Sequence, residues 1–370
     1  MTLLDRYLAR EILLPFAAGL VFLVQILLAT QILAQADVLF GAGVSALDLG
    51  AVALDLVPHF LGYVLPVAFL LGCVVGTGRL AEDRELVAVA AAGISPTRLA
   101  RVPIGLGVVL SVLALWVGLV FEPAGLRDAR QRVNDLIRKN VTNDVRAGVF
   151  YEDLPDLTLY AEGSQGGRWR HVLISDRTDP AAPLLALAEA GGIEPAGSGE
   201  AMRLVLERGE VHREELRSDE YVDADYRRAI ITIGVGEALS DRNRLVGSPF
   251  EMYPADIVAL ARRSAATDPV AARGAWTFLH RRIAGPLALF AFGVLAVPIA
   301  GSRRGGRAFG YTATLVTVVA YYAALRFGEG LSQRGALPPW LGPNLANLAL
   351  VLAGLAALSF IERRGAGAVR

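Results

Sequence analysis

The side chains that most often carry out catalysis or bind metals are few and scattered in this sequence. The four histidines, His59, His171, His212 and His280, form no H-x-x-x-H pair and have no neighbouring carboxylate at the spacing of a metal site. Cys73 is the single cysteine and lies inside an apolar run, so it can form neither an internal disulfide nor a metal site by itself. The sequence therefore predicts no catalytic residues, no metal site and no cofactor in this chain.

Nucleotide-binding loops are missing from the sequence as well. Lys139, the only lysine, has no glycine-rich Walker context, which excludes a phosphate loop of that type. Glycines with G-x-G spacing, such as Gly105 and Gly107, lack the third glycine and the strand-to-helix setting of a dinucleotide site. The 36 basic and 36 acidic residues balance, which leaves no positive excess to bind nucleic acid.

A few ionisable side chains lie within or beside long apolar runs, where a charge is costly and so marks a candidate site. Asp55 and His59 form one candidate pair. Arg326 is the best candidate to bind a phosphate, because a guanidinium can donate two parallel hydrogen bonds to it. Asp55 and Glu329 are near the ends of their runs, where hydration alone could explain them.

The segment from Gly78 to Pro96 has the pattern of one short helix. Acidic residues crowd its first turns, where the helix dipole favours them, and Gly93 with Pro96 provides the stop. Such a helix could lie in a groove of a partner protein, although a solvated connector would have the same pattern. For this helix, predicted over about residues 79–93, the candidate partner-binding residues are Arg79, Leu80, Glu82, Glu85, Leu86 and Gly93.

The composition indicates that these elements lie in a lipid bilayer. Apolar residues make up 54% of the chain and the mean hydropathy is +0.46, whereas soluble domains are about 45–50% apolar. Runs of about 20 residues, enough to cross about 30 Å of hydrocarbon, predict six transmembrane helices. These runs are Ile12–Gln35, Ala51–Thr77, Val102–Phe121, Ile283–Ala300, Phe309–Phe327 and Gly342–Ile361.

Arginines indicate the orientation of these spans. They cluster in the N-terminus, after the second and fourth runs and in the C-terminal tail, whereas the other short loops contain almost none. By the positive-inside rule, both termini are cytoplasmic. A cleaved signal peptide is the alternative for the first run, because Ala34-Gln35-Ala36 has the A-x-A form, but this run exceeds the roughly 7–15 apolar residues of such peptides.

Residues 122–282, between the third and fourth runs, are too many for a loop and predict a domain on the far side of the membrane. Pro123–Lys139 has helical spacing and should prolong the third span. Short alternating runs from Val149 onwards predict about eight strands of a β-sandwich or jelly roll. A capping-box pattern at Ser248–Glu251 predicts a closing helix. The clearest strands are Leu157–Ala161, His171–Ile174, Arg203–Leu206 and Ala229–Ile233.

The segment from Gly78 to Pro96 resembles the signature loop of the lipopolysaccharide export permeases, the LptF/LptG (YjgP/YjgQ) family. The similarity extends in order through the whole chain, and Gly148–Phe150 is more similar to the F-type subunit than to the G-type. At the outer end of the first span, where the family often has a basic residue, this chain has Gln31, Gln35 and Asp37. Further matching segments are Asp5–Glu11, Leu279–Leu287, Tyr321–Tyr322 and Arg334–Pro339.

The resemblance implies a permease subunit of an ABC-type lipopolysaccharide exporter in the inner membrane of a Gram-negative bacterium. It implies a second homologous permease subunit, a cytoplasmic LptB-like ATPase dimer that docks on the 79–93 helix and uses the ATP, and LptC/LptA-like periplasmic jelly-roll proteins that bridge to the outer membrane. Lipopolysaccharide would leave the outer leaflet of the inner membrane and pass through the β-jelly roll. The candidate lipid cavity comprises Gln31, Gln35, Asp55, His59, Arg326 and Glu329.

Two other functions fit the same pattern. One is a membrane-anchored sensor whose periplasmic β-domain binds a ligand and signals through the Arg79–Arg101 loop. The other is an ABC permease that transmits force to periplasmic proteins without moving a substrate. For the exporter we expect residues 1–121 to form three transmembrane helices with the cytoplasmic helix, residues 122–282 the β-domain with flanking helices, and residues 283–370 three more transmembrane helices and a cytoplasmic tail.

Overall fold

A computed structural model describes residues 2–34, 45–144, 148–154, 157–165, 168–177, 179, 182–195, 202–215, 220–233, 249–300 and 306–364. The chain forms two compact units. The first comprises Met1–Ala29, Leu56–Gly125 and Met252–Arg370 and is helical. The second comprises Thr30–Asp55 and Leu126–Glu251 and contains the β-sheet.

Long α-helices account for most of the first unit. A π-helical turn, Val117–Phe121, joins α4 to α5, and a short 3-10 helix, Pro249–Glu251, precedes α6. The α-helices are α1 (Leu3–Ala34), α2 (Ala46–Glu82), α3 (Glu85–Ala91), α4 (Pro96–Trp116), α5 (Glu122–Asp144), α6 (Pro254–Ser264), α7 (Pro269–Ala300), α8 (Gly306–Gln333) and α9 (Leu345–Arg364).

Five helical segments of the described residues are long and apolar enough to cross a bilayer. Each of them overlaps one of the six predicted spans. α8 covers the remaining predicted span, Phe309–Phe327, but is not among the five, so a sixth transmembrane helix stays a prediction. The five segments are Leu3–Leu33, Ala46–Glu82, Pro96–Val133, Pro269–Ile299 and Leu345–Arg363.

Glycines on α2 let α1 approach it closely. A Cβ added at Gly72 would lie 2.6 Å from the Cβ of Phe16, and one added at Gly76 would collide with the carbonyl oxygen of Glu11. The α1 side chains on this side, including Ile12, are buried. Small residues are typical of helix interfaces in membranes, where association depends on close van der Waals packing.

Glycines also let α4 and α7 pack closely against each other. A Cβ added at Gly107 would lie 2.6 Å from the carbonyl oxygen of Leu289, and one added at Gly293 would lie 2.6 Å from that of Pro103. Each helix therefore supplies one glycine at the position where the backbone of the other passes. This contact holds together chain segments that flank the inserted domain on its two sides.

The second unit contains one six-stranded antiparallel sheet. Each strand pairs with its neighbours in sequence, in the order β1-β2-β3-β4-β5-β6, and the four clearest predicted strands lie in β2, β3, β5 and β6. The expected eight strands and jelly-roll connectivity stay predictions. The strands are β1 (Phe150–Leu154), β2 (Leu157–Gln165), β3 (Arg168–Asp176), β4 (Leu184–Pro195), β5 (Met202–Glu215) and β6 (Glu220–Ile233).

The buried face of the sheet changes phase in the middle of β3. Val172 and Ile174 alternate as buried residues, but the next buried residue towards the N-terminus is Trp169, so Arg170 and His171 are exposed in succession. His171 has a φ of 46°, in the left-handed region, which breaks the two-residue alternation of a strand. As a result, β3 buries an odd-numbered residue (Trp169) before His171 and even-numbered residues (Val172 and Ile174) after it.

The closing helix begins later than predicted. Pro249–Glu251 forms the short 3-10 helix, and α6 begins at Pro254. The carboxylate of Asp256 accepts a hydrogen bond from the N–H of Tyr253 at 3.3 Å, so the N-terminal cap lies several residues after the predicted capping box. Ser248 lies outside the described residues.

Candidate functional sites

The predicted cytoplasmic helix is interrupted, which corrects its prediction as one helix. α2 continues to Glu82, and α3 begins only at Glu85. Between them Arg84 has a φ of 58°, a left-handed conformation that ends a right-handed helix. The candidates are consequently divided, with Arg79, Leu80 and Glu82 in the last turn of α2 and Glu85 and Leu86 in the first turn of α3.

The two leucines of this set hold the segment in place. Leu80 is buried in the helical core, and Leu86 packs against the same core. Val87 and Ala88 are exposed on α3, and Glu82 is exposed at the end of α2. The surface that α3 offers to a partner is therefore small and apolar, with acidic residues at its N-terminal side.

Gly93 determines where α3 ends. Its φ is 80°, which favours glycine, and its N–H donates to the carbonyl oxygen of Ala90 at 3.0 Å. Ser95 then caps α4, because its Oγ accepts a hydrogen bond from the N–H of Arg98 at 3.3 Å. The backbone conformation at Gly93 thus sets the angle between α3 and α4.

The first turns of α1 contact each part of the region from α2 to α4. The sequence identified Asp5–Glu11 only by its resemblance to a family, because the spacing of these residues does not show what they contact. Three side-chain pairs make the contacts: Tyr7 Oη donates to Glu85 Oε2 at 3.0 Å, Arg79 Nη1 to Glu11 Oε2 at 3.3 Å, and Arg98 Nη1 lies 2.7 Å from Asp5 Oδ1. We call these six residues the N-terminal contact cluster.

Asp55 and His59, the two candidates on α2, have different partners. Asp55 Oδ2 lies 2.6 Å from Nε of Arg132, whose side chain is largely exposed. His59 Nδ1 lies 2.8 Å from Oε1 of Glu122, and both of these side chains are buried. The Asp55 pair has an exposed arginine and the His59 pair is buried on both sides, so the two pairs are expected to differ in their contribution to stability.

Glu122 also anchors a buried arginine that sequence reasoning missed. Arg282 Nη2 lies 3.6 Å from Glu122 Oε2 and donates to the carbonyl oxygen of Gly118 at 2.5 Å, while Nη1 donates to that of Met252 at 2.6 Å. Gly118 lies in the π-helical turn, whose wider hydrogen-bond spacing displaces carbonyl groups from the α-helical pattern. The available sequence signal was the position of Glu122 and Arg282 beside the third and fourth apolar runs.

Arg326 and Glu329 lie together at the C-terminal end of α8, with Arg281 as an unpredicted third member. Arg326 Nη1 and Arg281 Nη1 each lie 3.2 Å from a different oxygen of Glu329. The Glu329 side chain is buried, whereas that of Arg326 is 63% exposed. The exposed guanidinium of Arg326 is followed directly in the chain by an exposed apolar residue, Phe327.

The remaining members of the predicted cavity are on α1. Gln31 is half-buried in the last turn of α1. Gln35 lies outside the described residues. The structure therefore brings Arg326 and Glu329 together, with Arg281, while Asp55 pairs with Arg132 and His59 with Glu122.

A groove of about 650 Å³ lies on the sheet of the second unit. Tyr226 of β6 reaches across Gly209 of β5 and donates a hydrogen bond to the carbonyl oxygen of Leu187 in β4 at 2.6 Å. Burial and the nearby Glu210 raise the pKa of Tyr226 above its ordinary value, which keeps the hydroxyl group as a donor. The groove is lined by apolar residues such as Leu173 and by charged ones at its rim.

One group of the described residues has the side chains of a metal site. Glu210, His212 and Asp223 offer ligand atoms within 4.8 Å of one another. Glu210 faces Nε2 of His212 at 3.7 Å and Asp223 faces Nδ1 at 3.2 Å, so the carboxylates lie on opposite sides of the ring. One ion cannot use both ring nitrogens, and the present arrangement is that of two polar pairs. Sequence spacing could not reveal it because Asp223 comes from the neighbouring strand.

Comparison with known proteins identifies the family. The family model described as lipopolysaccharide export system permease LptF/LptG matches residues 6–359. No curated protein matches the chain significantly. The family match covers the helices and the inserted sheet together, and it favours the permease over a sensor. The chain belongs to the LptF/LptG family, and it is a multi-pass inner-membrane permease subunit of the lipopolysaccharide export system.

Proposed function

We propose that this permease takes lipopolysaccharide from the outer leaflet of the inner membrane and passes it to its β-domain, driven by a separate cytoplasmic ATPase. A second, homologous permease would complete the lipid cavity, and periplasmic jelly-roll proteins would receive the lipid from the sheet. ATP would be bound and hydrolysed only in the partner. Family membership supports this scheme in outline, and particular contacts of the chain support its individual steps.

The observation that carries the lipid step is the charge arrangement at Glu329. Arg281 and Arg326 share this single carboxylate, and the Arg326 guanidinium remains largely exposed. A phosphate group on an amphipathic lipid could bind this exposed guanidinium by charge-assisted hydrogen bonds. Beside it, α8 exposes a series of large apolar side chains that could contact acyl chains. These are Leu315, Val316, Val319 and Phe327.

Photocrosslinking tests this step in cells that make labelled lipopolysaccharide. A photoreactive amino acid at Phe327 should form lipid adducts that decrease when the ATPase turns over. Leu352 on α9 is the matched control, because the two residues are 65% and 67% exposed and Phe327 directly follows Arg326 in the chain. Adducts that respond equally to turnover at both positions would show general lipid contact and would contradict a transport path at α8.

The charge requirement can be tested separately. Arg326→Lys keeps one positive charge but loses the two-pronged donor, and Arg326→Gln loses both. We expect adduct formation at Phe327 to fall in the order wild type, Arg326→Lys, Arg326→Gln. Equal adduct yields for wild type and Arg326→Gln would remove Arg326 from the lipid site.

The exposed surface of α3 supports the docking of an ATPase. Val87 and Ala88 are exposed there, next to the acidic Glu85. Glu85→Ala and Val87→Ser should each weaken copurification of the ATPase with the permease. Val270→Ser, which changes an exposed valine near the start of α7, is the control. Unchanged copurification and ATP turnover in both α3 variants would contradict docking at this surface.

We propose further that α8 is a sixth transmembrane helix, which places both termini in the cytoplasm and the β-domain in the periplasm. The clustering of arginines by the positive-inside rule supports this orientation. Single cysteines at Ala92 and Ala266, two exposed alanines, form a matched pair. A membrane-impermeant maleimide should label the cysteine at 266 in spheroplasts and the one at 92 only after permeabilisation, and the reverse pattern would overturn the topology. Cys73 is buried and should not contribute background.

A further inference from the structure

The segment of residues 79–98, on which we expect the ATPase to dock, is not directly connected to α1 along the chain. The coupling region, residues 79–98, is continuous with α2 and α4, so a movement there would reach those two helices directly. The N-terminal contact cluster adds a connection to α1 that the chain order does not provide. Its three pairs join α1 to the end of α2 through Arg79, to α3 through Glu85 and to the start of α4 through Arg98.

The N-terminal half of α1 is also held by packing. Leu8, Ile12 and Phe16 are buried in the helical core. Gly72 and Gly76 bring the α2 backbone against the same stretch, so that no side chain separates the two helices there. This half of α1 is therefore constrained in rotation by side-chain pairs and in position by close packing.

The following turns of α1 are less deeply buried. Leu20, Leu23 and Leu27 are only partly buried against the same core, and Val21, Phe22 and Ile26 are exposed large apolar side chains. Apolar side chains in a bilayer can exchange neighbours at little cost because lipid and protein surfaces are similarly apolar. α1 is one continuous helix from Leu3 to Ala34, in which Pro15 removes one backbone hydrogen bond between the two parts. The hydrogen bonds of the other turns can carry a rotation imposed at the N-terminal end along the helix.

We propose that α1 transmits the movement of the coupling region across the membrane, and that Tyr7 and Glu11 are the positioning residues that impose this movement on it. The proposal rests on the proposed docking of an ATPase at α3. It adds that Glu85 has a second role inside the permease, because its carboxylate accepts a hydrogen bond from Tyr7 and has further lone pairs that could accept from a partner.

Single surface pairs contribute little energy, so the proposal predicts a defect in coupling and not in folding. Tyr7→Phe removes only the hydroxyl group, and Glu11→Gln removes only the charge. The combined variant keeps Leu8, Ile12, Phe16 and both glycines, so α1 should still pack on α2. Arg10→Gln is the matched control, because Arg10 is exposed on the same turn and is not part of the contact cluster.

The experiment uses the permease in complex with its ATPase and second permease, reconstituted in proteoliposomes. An environment-sensitive fluorophore on a cysteine at Ile26 reports the nucleotide-dependent change at the exposed part of α1. In the Tyr7→Phe/Glu11→Gln variant we expect the nucleotide-dependent change in fluorescence to fall about three- to tenfold. The amount of lipopolysaccharide released per ATP hydrolysed should fall by a similar factor. This factor corresponds to the loss of one or two hydrogen bonds of ordinary strength. Copurification of the ATPase should be unchanged, and Arg10→Gln should behave like wild type.

A charge exchange separates positioning from loss of a side chain. Glu11→Arg and Arg79→Glu should each reduce the coupling ratio, and the double variant should restore most of it, because the pair is re-formed in reverse. A fluorophore response at Ile26 that is equal in wild type and in the Tyr7→Phe/Glu11→Gln variant would overturn the role of α1. If Glu85→Ala loses the ATPase on copurification and Tyr7→Phe does not, the proposal that the ATPase docks at α3 still stands. The docking of the ATPase and the transmission of movement by α1 can therefore fail independently.

Discussion

The hydroxyl group of Tyr7 donates a hydrogen bond to the carboxylate of Glu85, a residue 78 positions further along the chain. This contact joins the start of the first transmembrane helix to the short helix on which we expect the ATPase to dock. Glu85 therefore has one contact inside the permease and is expected to make another outside it. A substitution of Glu85 tests both contacts at once, whereas Tyr7→Phe tests the internal contact alone.

The close approach of α1 and α2 predicts that Gly76→Ala destabilises the protein. Its new Cβ would collide with the carbonyl oxygen of Glu11, which belongs to the helix backbone and cannot rotate away. We expect a loss of about 1–3 kcal/mol, as for other overpacked sites, measured as a lower thermal midpoint in detergent. Gly78→Ala is the control, because its added Cβ meets no atom within 4 Å. Equal midpoints for both variants would show that the helices separate easily.

The buried group around Glu122 predicts a larger effect. Glu122→Gln keeps a hydrogen-bond acceptor but removes the negative charge that faces the buried guanidinium of Arg282 and the ring of His59. Removal of one member of a buried ion pair costs about 3–5 kcal/mol. Asp55→Asn breaks a pair whose arginine is largely exposed, and this should cost below about 1 kcal/mol. The thermal midpoints of the two variants, measured side by side, test this difference. Equal decreases in the two midpoints would show that burial does not distinguish the pairs.

Tyr226 predicts a pH-dependent contribution to the stability of the sheet. Burial is the main cause that raises its pKa above the ordinary value of 10.0, so the folded sheet holds the phenolic proton more tightly than the unfolded chain. The hydrogen bond to Leu187 is therefore fully present below about pH 10 and is lost as the pH rises through the raised pKa.

Tyr226→Phe should cost about 1 kcal/mol at neutral pH, because one hydrogen bond is lost. Above about pH 10 the difference between wild type and variant should shrink. Urea unfolding of the full chain, reported by labelling of a cysteine that replaces the buried Ala161 in both proteins, measures this difference. A difference that is constant between neutral and alkaline pH would mean that the hydroxyl group contributes through packing alone.

The turn at Gly93 predicts a graded response to substitution. Its φ of 80° is tolerated best by glycine, less well by asparagine and poorly by a β-branched residue. Gly93→Val should therefore cost about 1–3 kcal/mol and weaken ATPase copurification, because it changes the angle between α3 and α4. Gly93→Asn should have a smaller effect on both quantities. Identical effects of the two substitutions would argue that side-chain bulk, and not backbone conformation, matters at this position.

The long apolar runs and the start of the β-rich segment were predictable because they depend on local properties of the chain. A run long enough to cross the hydrocarbon core identifies α1, α2, α4, α7 and α9 wherever they pack. Alternation of apolar residues likewise located β2, β3, β5 and β6. The family resemblance of Gly78–Pro96 and of the flanking segments was also contained in the sequence, and the family match confirms it.

Where a local signal was weak, the prediction failed. The pattern of Gly78–Pro96 indicated one helix, because neither Asp83 nor Arg84 is a helix-breaking residue type. The left-handed conformation of Arg84 and the burial of Leu80 and Leu86 place the break there. Tertiary packing of the leucines outweighs the small propensity differences among these residues.

The sequence could not predict which acidic side chain pairs with which basic one, for a different reason. Asp55 and His59 were candidates because both are ionisable groups in one apolar run, which does not show what they contact. The structure brings Arg132 to Asp55 and Glu122 to His59, and Arg282 contacts the same Glu122. The sequence by itself determined which segments enter the membrane and which family they belong to, because apolar length and motif order are properties of the chain. Only the tertiary structure decided which carboxylate meets which cation, because that depends on distances between residues far apart in sequence.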